Sequence, residues 1–118
     1  MITNERASFI AHRWIEAWNR KDIEMVLRNY TQTIRYTAPR AIFYTGTEST
    51  TIVGKRNLRE FFSRGMSASL EGRYQIQDIT MGVDSISIIY KIDCQKTAVE
   101  VMFINDKGKV YKSYAFRN

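Results

Sequence analysis

Residues 74–117, YQIQDITMGVDSISIIYKIDCQKTAVEVMFINDKGKVYKSYAFR, decide the fold, because nearly everything between their turn residues reads as β. Four runs rich in Ile, Val, Tyr, Phe and Thr follow one another: Tyr74 to Met81, Val83 to Cys94, Thr97 to Asn105 and Lys109 to Arg117. Gly82-Val83-Asp84, the segment from Asp93 to Lys96, and Asn105-Asp106-Lys107-Gly108 supply the turns. Strands this close in sequence, joined by turns this short, make an antiparallel meander. The central runs are apolar on both parities. Ile86, Ile88, Tyr90 and Ile92 alternate with Ile89, and Val99, Val101 and Phe103 alternate with Ala98, Met102 and Ile104. A sheet with one solvated face would keep one parity polar. Both faces are therefore expected to be covered, one by helices and the other by a second subunit.

Upstream of residue 74 the hydrophobic period changes to that of a helix. Leu58, Phe61, Phe62 and Met66 form one stripe between Lys55 and about Ala68, entered through Gly54. Ala7, Ile10, Ala11, Trp14 and Trp18 form another, predicting a helix over about residues 4–19 with Thr3 or Asn4 as its cap. Asp22 can cap a second, short helix whose inward set is Ile23, Val26, Leu27 and Tyr30. Between these stripes, Ile34, Tyr36 and Ala38 alternate up to Pro39, and Ala41 to Tyr44 makes a second brief run; both read as short edge strands. A Thr-, Ser- and Gly-rich loop from Thr45 to Gly54 follows. No repeat, linker or heptad run interrupts the chain, so residues 1–118 are read as one α+β domain.

Composition narrows the function classes. The 118 residues carry 18 Lys+Arg against 12 Asp+Glu, a formal charge of +6, with 44% hydrophobic and 13% aromatic residues and one proline. Disordered, collagen-like and low-complexity classes are excluded. A chain of this size buries about two-thirds of its surface, enough for a core without staples. Cys94 is the only cysteine and His12 the only histidine, so neither an internal disulfide nor a Cys/His zinc site can form. A reducing, cytoplasmic setting fits. No basic segment leads into an apolar stretch near the amino terminus, and no stretch approaches 18 apolar residues, so neither a signal peptide nor a membrane span is expected. The cations are spread along the chain and densest at Lys55, Arg56, Arg59 and Arg64. Nucleic-acid binding would want aromatics exposed between those charges, but the helical stripe turns Phe61 and Phe62 inward, so a solvated face is the better reading of this helix. The positive field would still draw anionic ligands.

The order helix, helix, short strands, helix, four long strands resembles the cone-shaped α+β barrels related to nuclear transport factor 2. The segments WIEAWNRKDIEMVLRNYT, a strand closing on TAP, VGKRNLREFFSRG, YQIQDITMGVDSISIIYK and VEVMFINDKGKVYKSYAF look like the small SnoaL-like members of that superfamily, which also holds ketosteroid isomerases and scytalone dehydratases. The likeness runs from about Ser8 to Phe116. It implies a curved antiparallel sheet wrapped around three helices from the first half of the chain, with an apolar ligand pocket inside the cone. This fold hosts enzymes, carriers and dimerisation modules alike.

Ketosteroid isomerases of this superfamily use a general-base Asp before a Pro at the end of the first strand, and an oxyanion hole made by a Tyr and a protonated acid. Position by position, Ala38 stands where the base would be and cannot move a proton. Trp14 stands in the place of the Tyr; its indole N–H donates but does not titrate. Glu100 keeps a carboxyl at the place of the acid, Tyr30 matches a supporting Tyr on the second helix, and Phe62 replaces one on the third. The resemblance places Glu100 inside the cone with Ala98 and Met102, where desolvation would raise its pKa and suit it to acid/base work. An ion-paired structural carboxyl is the alternative, with Arg117, on the parity of Ser113 and Ala115, as its partner. The expected pocket comprises Trp14, Tyr30, Tyr36, Phe62, Tyr74, Tyr90, Met102, Ser113 and Arg117. His12 falls two positions off the Trp14 stripe and reads as a surface residue. Cys94 has no helper His or Asn beside it in the sequence, which argues against a catalytic thiolate. The sequence thus predicts a homodimer that binds a small apolar or amphipathic molecule, anionic ones included, without a cofactor, or a non-catalytic binding module of the same build.

Overall fold

Two side-chain caps start the helical half of the chain. In the computed structural model, which describes residues 1–68 and 72–118, Thr3 Oγ1 accepts from the Arg6 N–H ahead of helix α1 (Asn4–Asn19). Asp22 Oδ1 accepts from the Met25 N–H ahead of α2 (Ile23–Leu27). Each cap satisfies a donor that the first helical turn cannot pair internally. The expected stripe of α1 is buried, including Ala7, Ile10, Ala11, Trp14 and Trp18.

Strand β1 (Tyr30–Thr37) follows at once, so Tyr30 opens a strand instead of closing the second helix. The segment from Ala41 is a helical turn, α3 (Ala41–Thr45), and not the short strand that its apolar run suggests. Its carboxyl end is closed by Gly46 at φ 67°, a left-handed cap that glycine takes without strain. The following loop contains a strand after all, β2 (Thr51–Val53), paired antiparallel to β1. This pairing and a parallel ladder with β6 (Val110–Arg117) place β1 inside the sheet, correcting its reading as an edge strand. Helix α4 (Lys55–Ala68) buries Leu58, Phe62 and Met66, while Phe61 is half-buried.

The meander is β3 (Tyr74–Met81), β4 (Ser85–Ile92), β5 (Lys96–Ile104) and β6, antiparallel throughout. The full sheet runs β2-β1-β6-β5-β4-β3. Asp93 and Cys94 both have positive φ in the three-residue turn between β4 and β5, the twist that suits a tight hairpin. Asp93 is held there by the backbone N–H of Arg73, which its carboxylate accepts. Register shifts in β3, β6 and β1 bend the strands, as bulges do. The result is the α+β cone expected from the sequence, with one more short helix than expected.

Alternation along the central strands is strict. Ile86, Ile88 and Tyr90 of β4 and Ala98, Glu100, Met102 and Ile104 of β5 are buried on the concave side, with the apolar stripe of α1 in the same core. Val99, Val101 and Phe103 face outward and are half-buried, beside the exposed Tyr114 and Phe116 of β6.

Candidate functional site

Cross-strand register assembles the concave face in rows. One row is Tyr90, Ala98, Arg117; the next is Ile88, Glu100, Ala115; the third is Ile86, Met102, Ser113. The parallel pairing of β1 with β6 then sets Tyr36 opposite Ser113. From there the Tyr36 hydroxyl donates to Glu100 Oε1 at 2.7 Å. Arg117 Nη1 approaches Glu100 Oε2 at 3.4 Å from the end of the strand. The carboxyl itself is 0% exposed, whereas the Arg117 side chain keeps about a third of its surface in solvent, at 34%.

Burial dominates the electrostatics of this carboxyl. Removal from water pushes the Glu100 pKa up to about 7; Arg117 and the Tyr36 hydroxyl hold it back from rising further. Glu100 is thus both desolvated and paired with Arg117. Tyr30, Tyr36 and Tyr90 are pushed well above the usual phenol range, first by burial and then by the Glu100 charge. They are therefore neutral hydroxyls at physiological pH.

Aromatic side chains wall the carboxyl. Trp14 Nε1 donates to the Tyr30 hydroxyl at 2.9 Å, and the Trp14 ring meets Tyr90 edge-on at 5.5 Å between centroids. Phe62 packs against Tyr36 at 5.1 Å and Trp18 at 5.0 Å; Tyr74 sits 6.1 Å from Tyr90. Edge-to-face pairs at these separations fix ring orientation as well as bury area. All nine expected pocket residues thus lie on or beside the concave face. Trp14, Tyr30, Tyr36, Phe62, Tyr90, Met102 and Ser113 are buried, Tyr74 is half-buried, and Arg117 stands at the rim. Met102 and Ser113 occupy the row beyond Glu100. Tyr30 reaches the group from β1, which corrects its assignment to the second helix.

Trp18 belongs to the same wall, although it is not among the nine residues expected there. Its spacing of four from Trp14 on one helical face was the available signal. Trp18 Nε1 and Ser113 Oγ are buried without a hydrogen-bond partner among the described residues. An unpaired buried donor costs about 1–3 kcal/mol, so each is a place where an acceptor would be favoured. The Trp14–Tyr30 bond carries its own prediction. Tyr30→Phe leaves the Trp14 N–H unpaired and should lower unfolding free energy by about 1–3 kcal/mol in urea melts; a loss below about 0.5 kcal/mol would show that the indole finds another acceptor.

Elsewhere, His12 is exposed and its Nδ1 lies 2.9 Å from the Ser8 carbonyl, while Cys94 is exposed in its turn. Among the described residues, no three His, Cys, Asp or Glu side chains cluster as metal ligands would. On α4, Arg59 pairs with Glu24 and Arg64 lies over the Tyr44 ring, with Phe62 turned inward. Also among the described residues, no helix is long and apolar enough to cross a membrane.

Comparison with known proteins gives one family. The sequence pattern of the SnoaL-like domain matches residues 11–113. A SnoaL-like protein of unknown function from Burkholderia thailandensis superposes with a TM-score of 0.93 at 24% identity, covering 100% of this chain and 99% of that one. A proposed isomerase of the SnoaL-like family from Agrobacterium tumefaciens superposes at 0.77 with 14% identity, covering 97% and 98%. AclR, a proposed hydroxylase from Streptomyces galilaeus, superposes at 0.75 with 15% identity, covering 97% and 89%. Among curated protein sequences, none matches this chain.

Proposed function

Because the chain belongs to the SnoaL-like family, we propose that it holds a small, mainly apolar ligand against the concave face and moves a proton on it through Glu100. The observation that carries this reading is the burial of Glu100 between Tyr36 and Arg117, with a pKa of about 7. A carboxyl with that pKa can give and take a proton at neutral pH with little driving-force penalty. Trp14, Tyr30 and Tyr90 would orient the ligand, and isomerisation, cyclisation, dehydration or hydrolysis without a cofactor are the reaction types that one such group serves. The isomerase description of the Agrobacterium neighbour is in keeping with proton transfer. The single Cys94, which can form no internal disulfide, is in keeping with a cytoplasmic setting.

A second reading, binding without turnover, is favoured by Ala38. It occupies the base position of the related ketosteroid isomerases and is buried with no proton to exchange. Accordingly, wild-type protein is expected to leave double-bond migration in a steroid enone at the background rate. Measurable wild-type catalysis of that migration would overturn the transfer of roles onto Ala38. The proton-transfer reading itself is tested by native mass spectrometry of protein purified from its own source. A retained small molecule that leaves on denaturation and is converted by wild-type protein but not by Glu100→Gln supports it; a retained molecule that neither form converts supports binding alone.

A further inference from the structure

Arg117 is only half committed to Glu100. Its Nη1 makes the long 3.4 Å contact to Oε2 and a 3.1 Å bond to the Phe116 carbonyl. Its other guanidinium nitrogens hold no hydrogen bond among the described residues, and a third of the side chain is in solvent. Beneath it lies the Tyr90 ring, 5.8 Å away, and beyond Tyr90 is Tyr74, whose ring carries Lys21 Nζ at 4.7 Å. A buried carboxyl, a rim guanidinium with free donors and an aromatic bed therefore meet in one place.

We propose that Arg117 anchors a carboxylate borne on an aromatic body, and that Glu100 gains a proton from solvent as the ligand carboxylate takes the guanidinium from it. This rests on the reading of the concave face as a ligand site and adds the ligand's charge and its coupling to protons. Two carboxylates then compete for one guanidinium. Arginine offers bidentate geometry to a carboxylate, which a single 3.4 Å contact to Glu100 does not use. Arg117 from β6 and the Tyr36 hydroxyl from β1 act on Glu100, and its charge in turn is felt by Tyr30 from β1 and Tyr90 from β4; α1 and α4 present the uncharged Trp14, Trp18 and Phe62. Once Arg117 turns to the ligand, no other cation among these groups can hold Glu100 ionised, so the buried carboxyl protonates. Free Glu100 is half-protonated near pH 7, which places the coupling in the neutral range. Below pH 6 Glu100 is already neutral and releases Arg117 freely. Above pH 7 each binding event must also bind a proton, so affinity falls by up to about tenfold per pH unit.

The test uses 2-naphthoate and its neutral isostere 2-naphthamide, with binding followed by tryptophan fluorescence and proton uptake by pH-stat titration in unbuffered salt. Naphthoate is expected to bind with uptake of most of one proton at pH 8 and almost none at pH 5.5. Glu100→Gln should bind it with no uptake and with an affinity flat in pH. Arg117→Met should weaken naphthoate at least tenfold and leave naphthamide unchanged, and Arg117→Lys, which keeps the charge without the bidentate fork and guards against a folding defect, should bind naphthoate more tightly than Arg117→Met but more weakly than wild type. Naphthoate affinity that is flat in pH in wild-type protein, without proton uptake, overturns the proposal. Equal binding of acid and amide overturns the anion anchor while leaving the ligand-site reading intact; failure of both probes to bind overturns the two together.

Discussion

On the proton-transfer reading, Glu100→Gln is expected to abolish turnover and, in the same protein, to remove a pH-dependent cost of folding. In the unfolded chain Glu100 titrates near its ordinary value of 4.5; in the folded protein it titrates near 7. The folded state therefore holds the proton more tightly. The contribution of this group to stability is greatest below pH 4.5, declines as pH rises towards 7, and is flat above that. The decline amounts to about 3 kcal/mol, since a tenfold change in proton affinity corresponds to about 1.4 kcal/mol. Gln keeps the shape of Glu and an amide oxygen that can accept from Tyr36 or Arg117, but it never ionises. Subtracting the two denaturant curves at each pH isolates this site from the other carboxyls. The variant should gain on wild type by about 3 kcal/mol between pH 4 and pH 8, with most of the gain complete by pH 7. A carboxyl kept for its ion pair alone would do the reverse, the variant losing ground as pH rises because Arg117 stabilises the ionised form. Carboxyl-carbon NMR of Glu100 gives the same answer directly: a pKa at or below 4.5 would assign the residue to structure and remove the acid/base reading with it.

How much of this was legible in the sequence depended on whether a segment's pattern was local. Helices α1 and α4 and strands β3 to β6 declare themselves through sustained periodicity, and Thr3 and Asp22 mark helix starts by chemistry that acts within three residues. The four apolar residues from Ala41 to Tyr44 are too few to display any period, and their helical turn depends on the left-handed Gly46 that closes it. Strand β2 is three residues of a Thr-rich loop, made into a strand by Tyr36 and its neighbours on β1. At the site, parity grouped Glu100 with Ala98 and Met102, and Arg117 with Ser113 and Ala115, while the family resemblance supplied which parity faces inward. The Tyr36 bond to Glu100 was beyond such reasoning, because it spans 64 positions and depends on β1 lying parallel to β6. Parallel neighbours need a crossover that no local pattern announces.

The second large effect is expected on the outer face of the sheet, where the sequence first asked for a partner. Val101 and Phe103 are half-buried there, next to Tyr111, Tyr114 and Phe116, which expose 37%, 38% and 53% of their surface. Phe103 stacks with Tyr111 and Tyr114 at 6.4 and 6.3 Å, and Lys112 Nζ lies 4.4 Å above its ring. A face of this kind is covered most simply by a second copy of itself, and light scattering at micromolar concentration should give twice the 13.8 kDa of the chain. In a two-fold interface every substitution counts twice, and a carboxylate placed among apolar groups must be desolvated on both sides. Phe103→Glu or Val101→Glu should therefore weaken association by on the order of 100-fold or more. The monomer itself should tolerate the change, because both positions are partly open to solvent within one chain and Lys112 stands ready to pair with a carboxylate at 103. Circular dichroism of the variants should accordingly match wild type while their mass halves. A wild-type chain that is monomeric, folded and soluble at the same concentration would rule out the dimer and leave the aromatic outer face to be explained by a different partner.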